Sequence, residues 1–161
     1  DALLLTPVQM ANTAAIIANH GYYKIPHIIK TINGSFNNIN PDFFSKNYCS
    51  IDSSYFSPVI FGMQTVIDGK YGTAKSAKID GLKICGKTGT AQNPHGEDHS
   101  VFIGFAPKEN PEIAIAVYVE RGGWGSDVAA PIASLSIEKY LYKKISRHNL
   151  EASMLEKNIH Y

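Results

Sequence analysis

Apolar positions along this chain change their spacing about halfway, from a helical period to a strand-like one. Thr6-Pro7-Val8-Gln9 reads as a capping box with proline at the first helical position, where a missing N–H does no harm. Val8, Ala11, Ala15 and Ala18 then recur at helical spacing until Gly21, which predicts a helix over 7–20. The stretch from Tyr22 to Ile32, carrying Ile25, Ile28 and Ile29, reads as extended, and Asn33-Gly34-Ser35 with Asn37 and Asn38 as a turn. Up to Tyr55 the chain is loop-rich. A second helix is predicted from Ser57-Pro58 to near Gly69, with Val59, Met63 and Val66 on one face. Three extended segments follow, over 82–92, 100–106 and 113–120. In the last, Ile113, Ile115, Val117 and Val119 alternate with Ala114, Ala116 and Tyr118, and short connections favour antiparallel neighbours. Gly122-Gly123-Trp124-Gly125 breaks the run, and from about Pro131 the positions Ile137, Tyr140, Leu141 and Ile145 form a helical stripe. The order helix, helix, three-strand meander, helix predicts one α+β unit over 1–146, with 147–161 as a polar, weakly held C-terminal tail.

Composition narrows function more than fold. At 161 residues, 44% of them hydrophobic, the chain can bury one ordinary core. Fifteen Lys and Arg against fourteen Asp and Glu leave a formal charge of +1, with no basic block to track a phosphate backbone, so nucleic acid is not an expected partner. The longest apolar runs, such as Ile113 to Val119, fall far short of the roughly 20 residues of a membrane span, and no charged-then-apolar leader opens the sequence. Because Asp1 rather than Met comes first and Leu3 to Leu5 run straight into a helix start, the chain is expected to begin mid-protein, with any anchor upstream. Cys49 and Cys85 are too few for a disulfide framework and lack metal-ligand spacing, which leaves the redox compartment open.

The chemistry lies in Gly86-Lys87-Thr88-Gly89-Thr90-Ala91-Gln92, which supports two incompatible readings. Counting back from Thr88, Gly81-Leu82-Lys83-Ile84-Cys85-Gly86-Lys87-Thr88 satisfies the phosphate-loop pattern G-x-x-x-x-G-K-[ST]. That loop needs a strand before it, permissive residues within it and a helix after it whose N-terminal amides meet the phosphates. Here Leu82 to Cys85 looks like strand, the residues before Gly81 are polar, and Gly89, Pro94 and Gly96 oppose a following helix. The second reading takes Lys87-Thr88-Gly89 as the K-T-G element of penicillin-recognising serine enzymes. A strand edge offers main-chain N–H groups to an extended substrate beside it, and a glycine at position 89 lets that backbone come close. Thr88 and Thr90 supply hydroxyls and Lys87 a positive charge, which suits a peptide ending in a carboxylate. K-[ST]-G alone arises by chance roughly one time in ten in a chain this long.

The surroundings are more specific. Leu5-Thr6-Pro7-Val8-Gln9-Met10-Ala11-Asn12 with Ala18-Asn19-His20-Gly21, then Gly72-Thr73-Ala74, the Gly86 to Gln92 segment, His99 to Pro107 and Ala129-Ala130-Pro131-Ile132-Ala133 follow one another in order. In these segments the chain resembles the last part of the transpeptidase domain of class B penicillin-binding proteins, above all the elongation type, penicillin-binding protein 2. The resemblance implies part of the penicillin-binding and serine β-lactamase-like fold, with the Lys87 strand at an inner edge and the last helix covering the sheet. It implies that Lys87 holds the electrostatics of a D,D-transpeptidase site, that Thr88, Gly89 and Thr90 bind substrate, and that the N–H of Thr90 is half of the oxyanion hole. His99 matches a family position at the start of the next strand and is the further substrate-binding candidate. The implied reaction is acyl transfer through a serine, from D-Ala-D-Ala stem peptides of peptidoglycan to an amine, blocked by β-lactam antibiotics and using no metal or organic cofactor. The parent protein is then expected at the outer, periplasmic face of the bacterial cytoplasmic membrane, beside a membrane-embedded glycan polymerase of the elongation machinery.

The resemblance also requires S-x-x-K and S-x-N motifs, to supply nucleophile and base. Ser136-Ile137-Glu138-Lys139 fits the first string, and Ser35-Phe36-Asn37 and Ser45-Lys46-Asn47 fit the second. All three come after the helix that both motifs precede in the family. Ser136 falls well inside the last predicted helix and the others in polar loop, so the nucleophile is expected before Asp1 and the chain alone to be inactive. His95-Gly96-Glu97-Asp98-His99 gathers two imidazoles and two carboxylates, but Pro94 and Gly96 deny it the helix that His-x-x-x-His metal binding uses, so it reads as a polar connection. Trp124 reads as the aromatic closing a strand-to-helix turn rather than as a substrate platform. The rival readings are a carboxypeptidase or β-lactam sensor sharing K-[ST]-G, and a non-catalytic interaction module.

Overall fold

The computed structural model describes residues 4–32, 34–35 and 39–159. Helix α1 (Pro7–Ala18) opens with the expected box: Thr6 Oγ1 accepts the Gln9 N–H at 3.3 Å, and Gln9 Oε1 accepts the Thr6 N–H at 2.8 Å. It ends two residues earlier than the spacing suggests. His20 and Gly21 turn to positive φ, and their amides return to the carbonyls of Ile17 and Ile16, which closes the helix from its C-terminal side. Of the stretch read as extended, β1 (Tyr22–Tyr23) forms a strand, antiparallel to β2 (Asn47–Tyr48). Ile32 and Ser35 bridge across the expected turn, whose Asn33, Asn37 and Asn38 lie outside the described residues.

Helix α2 (Phe56–Asp68) buries Phe56, Ile60, Met63 and Ile67. Val59, assigned to the inner face from spacing, is exposed, because the buried stripe runs one position round from it. The sheet then follows as β3 (Cys85–Ala91), β4 (His99–Ala106) and β5 (Ile113–Val119), in that spatial order and wholly antiparallel. Cys85 faces Phe105, Lys87 faces Ile103 and Thr90 faces Ser100 across the first pair. Strand alternation divides the core in two. Cys85 and Phe105 pack on one face with Ala18 of α1 and Phe56, Ile60 and Met63 of α2. Ile84, Phe102 and Ala106 pack on the other with Ala129, Ala130, Ala133 and Ile137 of α3 (Ala129–Tyr142). The result is a helix, sheet, helix sandwich in which β3 lies at one edge of the sheet.

Two features fix that edge. Gly86 and Gly104 stand opposite each other, and a Cβ on Gly86 would come 2.2 Å from Cζ of the fully buried Phe102 ring. The ring lies where two side chains are missing. Ser100, also fully buried, donates its hydroxyl to the carbonyl of Trp124 at 2.9 Å and accepts the Ala129 N–H at 3.0 Å, tying β4 to the loop before α3.

The segment read as a polar tail carries one more helix, α4 (His148–Leu155). Its attachment is a side-chain network that no periodicity reports: the Arg147 guanidinium donates to the buried Glu138 of α3 at 2.9 Å and to the Lys78 carbonyl at 3.2 Å. Among the described residues no helix is long and apolar enough to cross a membrane.

Candidate active site

A seven-residue edge strand, Cys-Gly-Lys-Thr-Gly-Thr-Ala, carries four of the five candidate residues. Its backbone pairs with β4 on one side, and among the described residues no strand pairs with the other. Alternation sends Lys87 to the α1 face, beside Ile103, and Thr88 and Thr90 to the α3 face, beside Phe102 and Ser100. Lys87 is exposed and donates to the carbonyl of Thr88 at 2.8 Å, and among the described residues no carboxylate pairs with it. It lines two recesses. One, of about 250 Å³, lies between the start of α1 and the sheet, with Leu5, Met10 and Thr13 opposite. The other, of about 440 Å³, is closed by the end of α2 and the turn from Gly69 to Thr73.

That turn supplies a residue to which sequence reasoning gave no role. Thr73 Oγ1 lies 3.1 Å from Thr88 Oγ1, fifteen positions along the chain. Only its place in the Gly72-Thr73-Ala74 match hinted at it, because a side-chain contact between a turn and a strand leaves no periodic trace. Thr90 is exposed at the outer end of β3. Gly89 has ordinary room on its own face, where a Cβ would meet Val101 at 3.4 Å. The close approach comes from the other face: a Cβ on Gly125 would fall 2.4 Å from the carbonyl oxygens of both Gly89 and Val101.

His99 stands opposite Ala91, one pair beyond Thr90. Its Nδ1 accepts the Arg121 N–H at 3.0 Å and its ring tilts against Tyr118 at 5.4 Å, so its contacts run to β5 and the turn after it. The neighbouring acidic loop is a hydrogen-bonded connection. Asp98 accepts the Asn93 N–H, Asn93 accepts that of His95, and the Asp98 carbonyl accepts that of Gly123. Among the described residues no three His, Cys, Asp or Glu side chains gather as a metal set. The Trp124 indole is 71% exposed, so it does not close its turn; the Trp124 carbonyl does, accepting from Ser100 and from the Asp127 N–H.

The phosphate-loop reading fails on geometry. Gly81 sits in a tight turn bridged by Ile79 and Leu82, Gly86 to Thr88 are strand, and strand continues where a helix would have to begin. The serine strings are likewise placed elsewhere. Ser136 lies exposed in mid-helix and gives its hydroxyl to the Ile132 carbonyl at 2.9 Å. Ser45 turns back to Pro41 while Lys46 lies over the Tyr22 ring, and of the third string Phe36 and Asn37 lie outside the described residues. Cys85 offers no nucleophile either: burial pushes its thiol up to about 11.

Residues 2–138 match the family described as the penicillin binding protein transpeptidase domain. The peptidoglycan D,D-transpeptidase MrdA of Haemophilus influenzae is 30% identical over 159 residues, covering 87% of this chain and 24% of that protein. The chain thus spans about a quarter of the length of this relative. Among solved structures, Pseudomonas aeruginosa PBP2 in complex with WCK 5153 superposes with a TM-score of 0.74 at 38% identity, over 89% of this chain and 32% of that one. Penicillin-binding protein A from M. tuberculosis, as its imipenem acyl-enzyme complex, does so with a TM-score of 0.70 at 29% identity, over 88% and 32%. An edge strand bearing Lys-Thr-Gly-Thr, flanked by helices in this order and matched over most of its length, places the chain in the penicillin-binding protein transpeptidase domain family.

Proposed function

We propose that this chain forms one wall of the active site of a longer peptidoglycan D,D-transpeptidase: the wall that binds the donor's terminal carboxylate and supplies half of the oxyanion hole. The observation that carries the proposal is Lys87-Thr88-Gly89-Thr90 on the edge of β3 with which no strand pairs among the described residues. An extended stem peptide lies along that edge as an added strand. Its carboxylate takes the Lys87 charge and the hydroxyls of Thr88 and Thr90, with His99 at the far end of the groove. A serine hydroxyl attacks the penultimate D-alanyl carbonyl, and its proton passes to a base. The carbonyl oxygen becomes an oxyanion, stabilised by the Thr90 N–H. The terminal D-Ala departs as an amine with a proton, leaving an acyl-serine, which an amine of a neighbouring stem peptide then resolves. Ser136 and Ser45, whose hydroxyls go to local carbonyls, are not read as the acylated serine, which in this proposal comes from the rest of the longer protein. An imipenem acyl-enzyme in a relative supports β-lactams as inhibitors. On this reading the whole protein works outside the cytoplasm, at the outer face of the cytoplasmic membrane, beside a membrane-embedded glycan polymerase.

The test is Thr90→Pro in the full-length protein, which deletes one N–H at a strand edge where proline is otherwise tolerated. Fluorescent-penicillin acylation should fall by about 100- to 1,000-fold, as for loss of one oxyanion donor at about 3 to 4 kcal/mol. Unchanged acylation in a variant that melts like the wild type would overturn the assignment. Covalent labelling of the isolated 161-residue chain would overturn the placement of the serine.

A further inference from the structure

We infer that Thr73 is a positioning residue for carboxylate recognition, acting through Thr88; this deepens the transpeptidase reading above and rests on it. A threonine hydroxyl has one proton to give and two lone pairs to receive, and it rotates freely unless something holds it. Once Thr88 gives its single proton to a substrate carboxylate, it can meet a neighbouring hydroxyl only as an acceptor. The partner within reach is Thr73 Oγ1, at 3.1 Å. The order is then fixed: Thr73 donates to Thr88, and Thr88 donates to the carboxylate. Each bond polarises the next, which strengthens the outer one.

Thr73 is built into the frame rather than hung from it. Its preceding residue, Gly72, lies so close to α2 that a Cβ there would stand 2.4 Å from the Val66 carbonyl oxygen and 2.7 Å from that of Thr65. Its following residue, Ala74, is fully buried and donates its N–H to the same Val66 carbonyl at 2.9 Å. Two residues further on, Ser76 gives its hydroxyl to the Ser126 carbonyl at 2.7 Å, fastening the turn to the loop that also covers Gly89. The Thr73 side chain is thus held between α2 and β3. Its hydroxyl has no other hydrogen bond among the described residues, and it shares one recess with Lys87, while Lys87 and Thr88 together line the other. A Thr88 hydroxyl held as donor favours a carboxylate over an amide or ester, because its bond to an anion is roughly twice as strong as its bond to a neutral carbonyl.

The test uses the full-length protein with two donors that differ only at the terminus, one a free carboxylate and the other its C-terminal amide. Thr73→Val keeps the shape and removes the hydroxyl. It should raise KM for the carboxylate donor about five- to tenfold, the loss of one hydrogen bond to an ionic network, with kcat little changed. The amide donor should lose less, about two- to threefold, and Thr73→Ser should restore wild-type values. Adding Thr73→Val to Thr88→Val should cost nothing further, because residues acting through one another are not additive. An unchanged KM, an equal loss on both donors, failed rescue by serine, or full additivity would each overturn the inference. A wild-type protein that neither turns over donor nor takes up fluorescent penicillin would instead overturn the transpeptidase reading and the inference with it. An active wild type with an indifferent Thr73→Val variant overturns the inference alone.

Discussion

Gly86→Ala adds a single methyl at the tightest point of the sheet. The new Cβ would lie 2.2 Å from Phe102 Cζ and 2.7 Å from Cε2, where carbon atoms normally rest about 3.5–4.0 Å apart. The ring must therefore retreat by more than 1 Å. It has nowhere to go: Phe102 is fully buried, and the same core layer holds Ala129, Ala130, Ala133 and Ile137 of α3, none of which has slack to give. Overpacking of a dense core costs about 1–3 kcal/mol, and a rigid ring trapped between sheet and helix belongs at the upper end. Urea denaturation of the wild type, Gly86→Ala, Phe102→Leu and the double variant would measure it. The double variant should be more stable than the sum of the single losses predicts by at least about 1 kcal/mol, because shortening the ring makes room for the methyl. Penicillin acylation should fall alongside stability, since Lys87 and Thr88 follow directly in the chain. A Gly86→Ala protein within about 0.5 kcal/mol of wild type, or strict additivity in the cycle, would refute the packing account.

Ser100→Ala should cost about 1–3 kcal/mol in the same assay, because it leaves the buried Ala129 N–H without its acceptor, whereas Ser100→Thr tests whether the hydroxyl alone suffices. Burial pushes the Glu138 carboxyl up, but the Ser146 hydroxyl and amide and the Arg147 guanidinium outweigh it, so it stays charged below its ordinary value of 4.5. Its stabilisation is therefore complete above about pH 4.5 and is lost as pH falls through the lowered value. Glu138→Gln should flatten that acid limb, and an unaltered pH–stability curve would contradict the assignment. With its thiol held near 11, Cys85 should resist a thiol reagent at pH 8 in the native protein and react only with unfolding, as mass spectrometry of the labelled peptide would report.

Local patterns in the chain foretold local structure well. Thr6 and Gln9 announce a helix start because both partners of the box lie within four residues. Ile113 to Val119 announces β5 because alternation is itself the strand's geometry. Lys87-Thr88-Gly89 drew attention to the site through residue type and through the segments matched around it. What stayed hidden depends on distance along the chain. The Thr73–Thr88 contact, the seat of Phe102 over Gly86 and the reach of Ser100 to Ala129 span 15, 16 and 29 positions, and nothing in either partner's neighbourhood records the other. Helix α4 escaped for a similar reason: eight residues of mixed polarity show no stripe, and the anchor is an ion pair with α3. Val59 was misassigned because helical spacing fixes that a face exists, while the neighbours decide which way it turns.

The flank of β3 that no strand covers among the described residues has a second consequence, for how the chain behaves on its own. Most sheets shield such a border with charges, bulges or proline, because an open row of amides and carbonyls templates another copy as readily as a ligand. Here Lys87 is the single charged side chain along the strand. Handled in isolation, the chain should self-associate border to border, and replacing Lys87 by a neutral residue should hasten it: one ammonium group both beckons an anionic guest and repels an identical neighbour.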